Sequence, residues 1–214
     1  MGAPRLENAK GTRVMNALGN HSANPVFHVA RQADTQAIAE LFRLEPERLV
    51  DFVSCSEPEL NEAKLKTGAQ AFSGHVDQLI CDNSTVAAVG ECVVGAMVAF
   101  LSGPEGATKR FKQLDRLPIG FSEWPALRTL HIGAITVRSE YRRLGLGTKL
   151  ISLAETEAYT MGLAATSIIA LAQDLDLCHF LIANRYMSFA REKLPSHPLV
   201  KQSGEAILFA KYVA

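Results

Sequence analysis

Three residues near the middle of the chain, Arg142, Gly145 and Gly147, have the spacing of an anion-binding turn. They follow an apolar run at 130–137 and precede a helical pattern. Glycines let the backbone approach a ligand closely, and the first N–H groups of a helix carry partial positive charge. The turn therefore predicts a cradle of backbone N–H groups, flanked by basic side chains, that suits a pyrophosphate.

The segments on either side of this turn have the patterns of a strand and a helix. The run at 130–137 has the length and composition of a buried strand. After the turn, apolar side chains recur at helical spacing, at Leu150, Leu153, Ala154, Ala158 and Met161. Gly162 is placed to end that helix, and 165–172 has the pattern of the next buried strand. Together they predict a βαβ unit, which requires a parallel strand pair.

Two familiar phosphate-binding motifs do not fit the turn. A dinucleotide fingerprint requires a glycine at position 150, where Leu150 stands, and a P-loop requires Gly-x-x-x-x-Gly-Lys-Ser/Thr, which 147–150 does not supply. The segment instead resembles motif A of the GNAT acetyltransferases, (Gln/Arg)-x-x-Gly-x-(Gly/Ala), which lies between the fourth strand and the third helix of that family. Arg142, Gly145 and Gly147 match this motif position for position.

The resemblance implies that the chain binds acetyl-CoA as cosubstrate, without a metal. The backbone N–H groups of 143–148 would hold the diphosphate, and the strand that ends at Val137 would lie beside the pantetheine arm. The cofactor-binding residues implied in this way are Ile135, Thr136, Val137, Arg142, Arg143, Leu144, Gly145, Leu146, Gly147 and Thr148. Nothing in the sequence distinguishes an acetyl group from a longer acyl group.

The composition is that of a globular protein, and its charge balance favours neither nucleic acid nor a membrane surface as a partner. The chain has 214 residues, of which 48% are hydrophobic and 21% are charged. Its 22 basic and 22 acidic side chains cancel, so no overall charge favours nucleic acid or a membrane surface. Four scattered cysteines without a Cys-x-x-Cys pair argue against zinc and disulfides and fit a reducing compartment. We therefore expect a cytoplasmic protein with no metal, no nucleic-acid partner and no membrane partner, and the oligomeric state stays open.

Residues 1–25 differ from the rest of the chain. They are rich in Gly, Asn and Ala, lack hydrophobic periodicity and carry Arg5, Lys10 and Arg13 against a single acid, Glu7. This composition predicts a flexible tail, with an organelle-targeting segment as the alternative. The remaining residues, 26–214, are expected to form one acetyltransferase domain.

The rest of the pattern predicts an α/β fold of the GNAT type. We expect a mixed, largely antiparallel sheet with helices on both faces and the βαβ unit at its centre. The other predicted elements are a strand at 25–30, a helix capped by Asp34, a helix within 59–72, strands at 85–89 and 92–101 joined by a type II′ turn at Gly90-Glu91, a last helix at 175–193 and a strand at 206–213.

Acetyl transfer to an amine requires a group that takes a proton from the attacking nitrogen. His131 is the candidate, because imidazole titrates near neutral pH and several GNAT subfamilies place a base six residues before the Val137 position. Strict strand alternation would put His131, Gly133, Ile135 and Val137 on one face of the sheet. The alternative is a core histidine whose ring hydrogen-bonds to the backbone.

A general acid that reprotonates the leaving thiolate is harder to identify. GNAT enzymes often use a tyrosine on the last helix, in a pattern like Asn-x-x-Ala-x-x-x-Tyr followed by Gly-Phe. The chain departs from this pattern around Asn184-Arg185-Tyr186. Tyr186 is the only tyrosine in the predicted last helix and is therefore the candidate, with His179 as an alternative.

The predicted acceptor site depends on the interval 102–128, which is too long for an ordinary connection. It carries Phe111, Phe121 and Trp124, whose rings either cover the core or line a pocket for an aromatic or alkyl amine. Together with Phe42 they are the predicted substrate-binding residues. The long insertion and His131 resemble the arylalkylamine branch of GNAT, which implies a small-molecule amine. A protein lysine as acceptor and a non-catalytic CoA-binding module are the alternatives.

Overall fold

The computed structural model describes residues 24–43, 82–102, 128–193 and 204–213, together with a two-residue strand at 113–114. Eight strands in these parts of the chain form one sheet: β1 Val26–Val29, β2 Ser84–Val89, β3 Cys92–Ser102, β4 Gln113–Leu114, β5 Thr129–Val137, β6 Ala165–Leu171, β7 Met187–Lys193 and β8 Glu205–Tyr212. The helices with both ends described are α1 Thr35–Arg43, α2 Leu146–Thr160 and α3 Leu175–Ala183. Short 3-10 turns cover Gln32–Asp34 and Ser139–Tyr141.

The strands lie in the order β1-β2-β3-β5-β6-β8-β7, with β4 beside β3. Among the described pairs, β5–β6 and β3–β4 are parallel and the others are antiparallel. This confirms the mixed, largely antiparallel sheet and the central βαβ unit, formed by β5, α2 and β6. The β5–β6 pairing covers only Thr129–Ile132 and Ala165–Ile168, although both strands continue. Beyond these residues the two strands diverge towards their C-terminal ends.

Helices cover both faces of the sheet, as predicted. On one face, Ile38, Leu41 and Phe42 of α1 pack in a cluster with Val98 and Phe100 of β3. On the other face, α2 and α3 pack against the central strands in a larger cluster, whose helical members are Leu150, Ile151, Ala154, Ala158, Leu177, Cys178 and Leu181. The sheet therefore separates an α1 side from an α2/α3 side.

A β-bulge in β5 changes which side its residues face. The register pairs Val98 with Ala134 and Ala99 with Ile132, so Gly133 is an extra residue. A Cβ atom at Gly133 would lie 2.6 Å from Cε1 of Phe100, so this close approach depends on glycine.

The prediction that His131 shares a face with Ile135 and Val137 is therefore wrong. The ring of His131 contacts Phe100 on the α1 side, with ring centroids 5.1 Å apart. Ile135 and Val137 instead pack with the core on the α2/α3 side. Strict alternation fails because the bulge inserts one residue between the two sets.

Two glycines adopt the turn conformations that the sequence predicts. Gly162 follows α2 with a left-handed φ of 68°, and its N–H donates to Tyr159 while Leu163 donates to Ala158, both at 2.9 Å. This pair of bonds is a Schellman motif, so Gly162 ends the helix as expected. Gly90, with φ of 60°, joins β2 to β3 in the predicted hairpin.

The predicted last helix and the predicted cap are both wrong in part. Helix α3 ends at Ala183, and the residues expected to extend it form strand β7, which pairs with β8. This pairing to a distant segment overrides the local helical tendency. Asp34 lies inside the 3-10 turn, where its carboxylate accepts the backbone N–H of Arg31 at 2.7 Å, so it is not the N-cap of α1.

Some predictions lie outside the described residues. These are the tail at 1–23, the helix within 59–72 and the aromatic residues Phe111, Phe121 and Trp124.

Candidate functional site

The predicted anion cradle lies where β5 ends and α2 begins. Arg143 has a left-handed φ of 64°, and Gly145, the N-cap of α2, has a left-handed φ of 80°. The first helical hydrogen bond runs from Lys149 to Gly145 at 3.0 Å. The N–H groups of residues 146–148 therefore precede the helical ladder and point out of the start of the helix.

The cradle contains no acidic group of its own. Gly145 makes no side-chain capping bond, and the first turn of α2 has no acidic residue. A left-handed conformation costs a residue such as Arg143 about 1 kcal/mol or more, and such strain persists where the surrounding structure requires it. An N-terminus with outward N–H groups, a positive dipole and basic neighbours fits a diphosphate.

The two glycines of the motif have different roles. A Cβ atom at Gly145 would meet nothing within 4 Å, so this position requires glycine for its left-handed φ. A Cβ atom at Gly147 would lie 3.1 Å from Cζ of Phe180 on α3. Gly147 thus lets α3 pack against the start of α2, which the sequence argument, concerned with ligand approach, did not anticipate.

Two arginines hold the loop in place. The backbone N–H of Arg138 donates to Val94 at 2.8 Å, and its Nε donates to Val93 at 3.1 Å, which ties the loop to β3. Nε of Arg142 donates to the carbonyl of Val137 at 2.9 Å. Arg142 therefore closes the turn as well as contributing positive charge.

β5 and β6 stop pairing before either strand ends, and the gap between their unpaired parts is called the cleft here. It begins beside the C-terminal end of β5 and narrows to the last residues that pair, Ile132 of β5 and Ile168 of β6. The predicted cofactor residues Ile135, Thr136 and Val137 all lie on the diverging part of β5. A narrow cleft that ends at an anion cradle has the shape needed for an extended chain that carries a diphosphate.

His131 lies at the narrow end of this cleft, one residue before the pairing ends. Its side chain is completely buried, and Nδ1 lies 2.9 Å from Oγ of Ser167 on β6. Nε2 is buried without a hydrogen-bond partner. Because burial penalises the charged ring, the pKa of His131 is lowered to about 3. The imidazole is therefore neutral at physiological pH.

Tyr186 lies on the opposite side of the sheet from His131. Its hydroxyl is 2.7 Å from Oγ1 of Thr166, and its ring belongs to the core under α2 and α3. Thr166 and Ser167 are neighbours in β6, so their side chains point to opposite faces. Burial raises the pKa of Tyr186. The structure thus does not bring the two predicted catalytic residues together.

Comparison with known proteins identifies the family. The model of the acetyltransferase (GNAT) family matches residues 57–181, more than half of the chain. The chain belongs to the GNAT family. It is thus an acyltransferase that uses acetyl-CoA as cosubstrate.

Solved structures support the fold assignment. One is Arabidopsis thaliana NAA60, solved in complex with acetyl-CoA. The alignment covers 89% of this chain and 99% of that chain, with a TM-score of 0.59 and 12% identity. Another is an N-acetyltransferase from Staphylococcus aureus Mu50, for which the alignment covers 90% of this chain and 100% of that chain, with a TM-score of 0.55 and 11% identity. A third is the Escherichia coli ribosomal-protein-S18-alanine N-acetyltransferase, for which the alignment covers 89% of this chain and 95% of that chain, with a TM-score of 0.52 and 12% identity. At these identities the similarity shows the fold, and no curated protein matches the chain in sequence.

The structure also corrects how the GNAT tyrosine pattern maps onto this chain. Arg185 has a left-handed φ of 66° and precedes the buried Tyr186, so this pair takes the place of Gly-Phe. Asp174, the N-cap of α3, then stands at the Asn position and Leu181 at the Tyr position. Leu181 is completely buried and has no proton to donate. The capping residue before α3 is the sequence signal that could have revealed this alignment.

The remaining candidates are placed as follows. Phe42 is completely buried in the α1 cluster, so its ring contributes to the core in this structure. His179 is exposed on α3. Within the described ranges, no group of three or more His, Cys, Asp or Glu residues is arranged to hold a metal. In the same ranges, no helix is both long enough and apolar enough to cross a membrane.

The cradle predicts the effect of a charge at its centre. We expect Gly147→Glu to weaken acetyl-CoA binding by at least about 30-fold, because loss of one charge-assisted hydrogen bond is worth roughly 2 kcal/mol. Isothermal titration calorimetry measures the affinity. The control is Ser152→Glu, at an exposed position of α2 away from its N-terminus, and it should bind like the wild type. Wild-type affinity in Gly147→Glu would contradict the assignment.

The buried His131 predicts a pH dependence of stability. Its pKa is near 6.5 when unfolded and about 3 when folded, so the unfolded chain binds more protons in between. The stability is therefore complete above pH 6.5 and lost as the pH falls, by roughly 2 kcal/mol at pH 5. Urea unfolding should show that His131→Gln removes this slope between pH 7.5 and 5, whereas His179→Gln, an exposed control, keeps it. An unchanged slope in His131→Gln would show that folding does not lower the pKa of His131.

Proposed function

We propose that this enzyme transfers an acetyl group to a primary amine by direct attack, with a small aromatic or alkyl amine as the favoured acceptor. The observation that carries the proposal is that the gap between β5 and β6 opens beside the anion cradle and closes one residue after His131, whose buried Nε2 has no hydrogen-bond partner. One end of this cleft suits the phosphates of acetyl-CoA. The other end holds a group that can accept a proton.

The chain offers a place for each part of acetyl-CoA. The N–H groups of 143–148 and the positive end of α2 would hold the diphosphate. Residues 135–137 of β5 would lie beside the pantetheine arm, where β6 has diverged. Bound acetyl-CoA supplies an activated thioester whose thiolate is a good leaving group. The contribution of the protein is then to orient the amine and to accept its proton.

His131 is suited to the second task by its protonation state. A neutral imidazole with an unpaired Nε2 can accept a hydrogen bond from an amine. Its low pKa makes it a weak base towards a free ammonium ion, so the proton moves as the nitrogen bonds to the acetyl carbon and becomes more acidic. The amine therefore has to reach the site with its lone pair free.

No general acid is assigned to α3 in this proposal. Leu181 occupies the usual tyrosine position. The hydroxyl of Tyr186 is bonded to Thr166, on the opposite side of the sheet from His131. The pKa of a thiol is about 8.5, so a thiolate is a tolerable leaving group that can take its proton from water.

These assignments predict different outcomes for two substitutions. His131→Gln should lower kcat by roughly 10²- to 10⁴-fold and leave the Kd for acetyl-CoA unchanged. Tyr186→Phe should keep kcat within a few-fold and cost about 1 kcal/mol of stability through the lost bond to Thr166. Thr166→Val is the matched control for that bond. Steady-state kinetics with the best acceptor, combined with calorimetry, measures both effects, and a large loss of kcat in Tyr186→Phe would restore it as the acid.

The acceptor class is supported by the sequence between the third strand and β5. Three aromatic residues there, Phe111, Phe121 and Trp124, fit a pocket for a ring or an alkylammonium. A protein amine is the rival acceptor. The Escherichia coli relative is named for its action on a ribosomal protein, but at 12% identity it shares only the fold with this chain.

Competition at fixed acetyl-CoA tests the acceptor. Tryptamine, phenethylamine, spermidine and a lysine peptide are offered together, and mass spectrometry quantifies each product. We expect the two arylalkylamines to be acetylated fastest and Trp124→Ala to raise their KM, with Trp124→Phe as the control that keeps a ring. Preference for the lysine peptide with an indifferent Trp124→Ala would favour a protein lysine acetyltransferase.

A further inference from the structure

A chain of three buried polar side chains lies at the narrow end of the cleft. Ser167 of β6 is directly opposite His131 of β5 in the parallel pair. Oγ of Ser167 lies 2.9 Å from Nδ1 of His131 and 2.9 Å from Oγ1 of Thr129. All three side chains are completely buried. They occupy the short segment in which β5 and β6 still pair.

Two hydrogen arrangements satisfy these contacts, because a neutral imidazole carries one N–H and one lone pair. In the first, Nδ1–H donates to Ser167, whose hydroxyl is then directed at Thr129. In the second, Ser167 donates to Nδ1 and accepts from Thr129, and the ring hydrogen is on Nε2. The arrangements keep the same two hydrogen bonds and differ at both ends of the chain. The first leaves a lone pair at Nε2 and the hydroxyl hydrogen of Thr129 unused, whereas the second leaves an N–H group at Nε2 and uses the Thr129 hydrogen.

The unpaired state of Nε2 distinguishes the two arrangements. Nε2 is buried without a partner. A buried N–H group without an acceptor is rarer in proteins than an acceptor that lacks a donor. The first arrangement leaves the Nε2 lone pair and the hydroxyl hydrogen of Thr129 without a partner among these contacts, but a hydroxyl hydrogen can rotate towards an acceptor, whereas a ring N–H is fixed in the plane of the imidazole. The first arrangement is therefore favoured. It is also the arrangement in which Nε2 can accept a proton.

We propose that Ser167, supported by Thr129, is a positioning residue that holds His131 with its hydrogen on Nδ1 and its Nε2 lone pair open. This inference rests on the proposed function, in which His131 accepts the proton of the attacking amine. In that step the nitrogen–hydrogen bond of the amine breaks and a bond from that hydrogen to Nε2 forms. The resulting imidazolium keeps its Nδ1–H bond to Ser167 until Nε2 releases the proton to solvent.

NMR of the full-length enzyme with ¹⁵N-labelled histidine tests the inference directly. The couplings between ring nitrogens and carbon-bound hydrogens show which nitrogen carries the hydrogen, and comparison with His131→Gln identifies the signal of His131 among the six histidines. We expect Nδ1–H in the wild type and in Thr129→Ser, which keeps the hydroxyl. Ser167→Ala should shift the ring towards Nε2–H. An Nε2–H ring in the wild type would overturn the proposal.

Kinetics of the same variants separates positioning from simple structural support. Ser167→Ala should lower kcat by roughly 10- to 100-fold, the range seen when a partner that orients a functional histidine is removed. Its acetyl-CoA affinity and acceptor KM should stay close to wild type, and Ser167→Thr should recover much of the rate. Thr129→Val, which keeps its shape without the hydroxyl, gives a smaller loss and a second test should Ser167→Ala fold poorly.

The two readouts also separate this inference from the proposed function. If His131→Gln keeps full activity, His131 is not the base, although NMR can still show that Ser167 sets its tautomer. If His131→Gln is inactive but neither Ser167→Ala nor Thr129→Val changes the tautomer or kcat, the base assignment stands and the positioning role is wrong.

Discussion

The pairing of β5 with β6 over only four residues is the constraint on which the rest of this structure depends. Parallel strands cannot be joined by a tight turn, so α2 crosses between them and begins beside the end of β5. Its free N–H groups therefore lie at the open end of the cleft that the diverging strands create. The cradle, the cleft and the position of His131 thus follow from one feature of the sheet.

The bulge at Gly133 places His131 and the residues beside the cradle on opposite faces of the sheet. Residues of β5 after the bulge, such as Ile135 and Val137, pack on the α2/α3 side, where the cradle is. His131, before the bulge, faces the α1 side. In the proposed reaction the unpaired end of β5 and the α2/α3 side of the sheet hold acetyl-CoA, whereas the proton acceptor His131 lies on the α1 side. An amine that approaches from the α1 side would meet the thioester at the end of the cleft without displacing the groups that bind the diphosphate.

The polar side chains inside the fold differ in whether all their polar atoms have hydrogen-bond partners. On the α2/α3 side, Tyr186 is bonded to Thr166, and Lys211 of β8 forms a 2.7 Å ion pair with Glu155 of α2. These contacts fasten the helix and the end of the sheet together. In His131 one ring nitrogen is bonded to Ser167 and the other is buried without a partner, as is one carboxylate oxygen of Glu155. Burying a neutral imidazole in this way lowers stability at acidic pH and leaves a proton acceptor that does not titrate at physiological pH.

Features of the fold that depend on neighbouring residues were predictable from the sequence. Arg142, Gly145 and Gly147 predicted the turn and the start of α2, because turn geometry and helix N-termini have local sequence requirements. Gly162 marked the end of α2, and Gly90 marked the hairpin, since left-handed backbone favours glycine. The alternation of apolar segments around the turn indicated the βαβ unit, and with it the centre of the sheet.

Features that depend on residues distant in the sequence were evident only from the folded chain. Residues 187–193 form a strand because β8 lies beside them, although the local sequence favours a helix. The face of His131 depends on the bulge at Gly133, where a Cβ atom would lie 2.6 Å from Cε1 of Phe100 of β3, and no local pattern encodes that contact. The position of Tyr186 is set by a distant partner too, since its hydroxyl lies 2.7 Å from Oγ1 of Thr166, 20 residues earlier in the chain. Local patterns specify how the backbone turns, whereas long-range packing decides which side of the sheet each catalytic candidate faces.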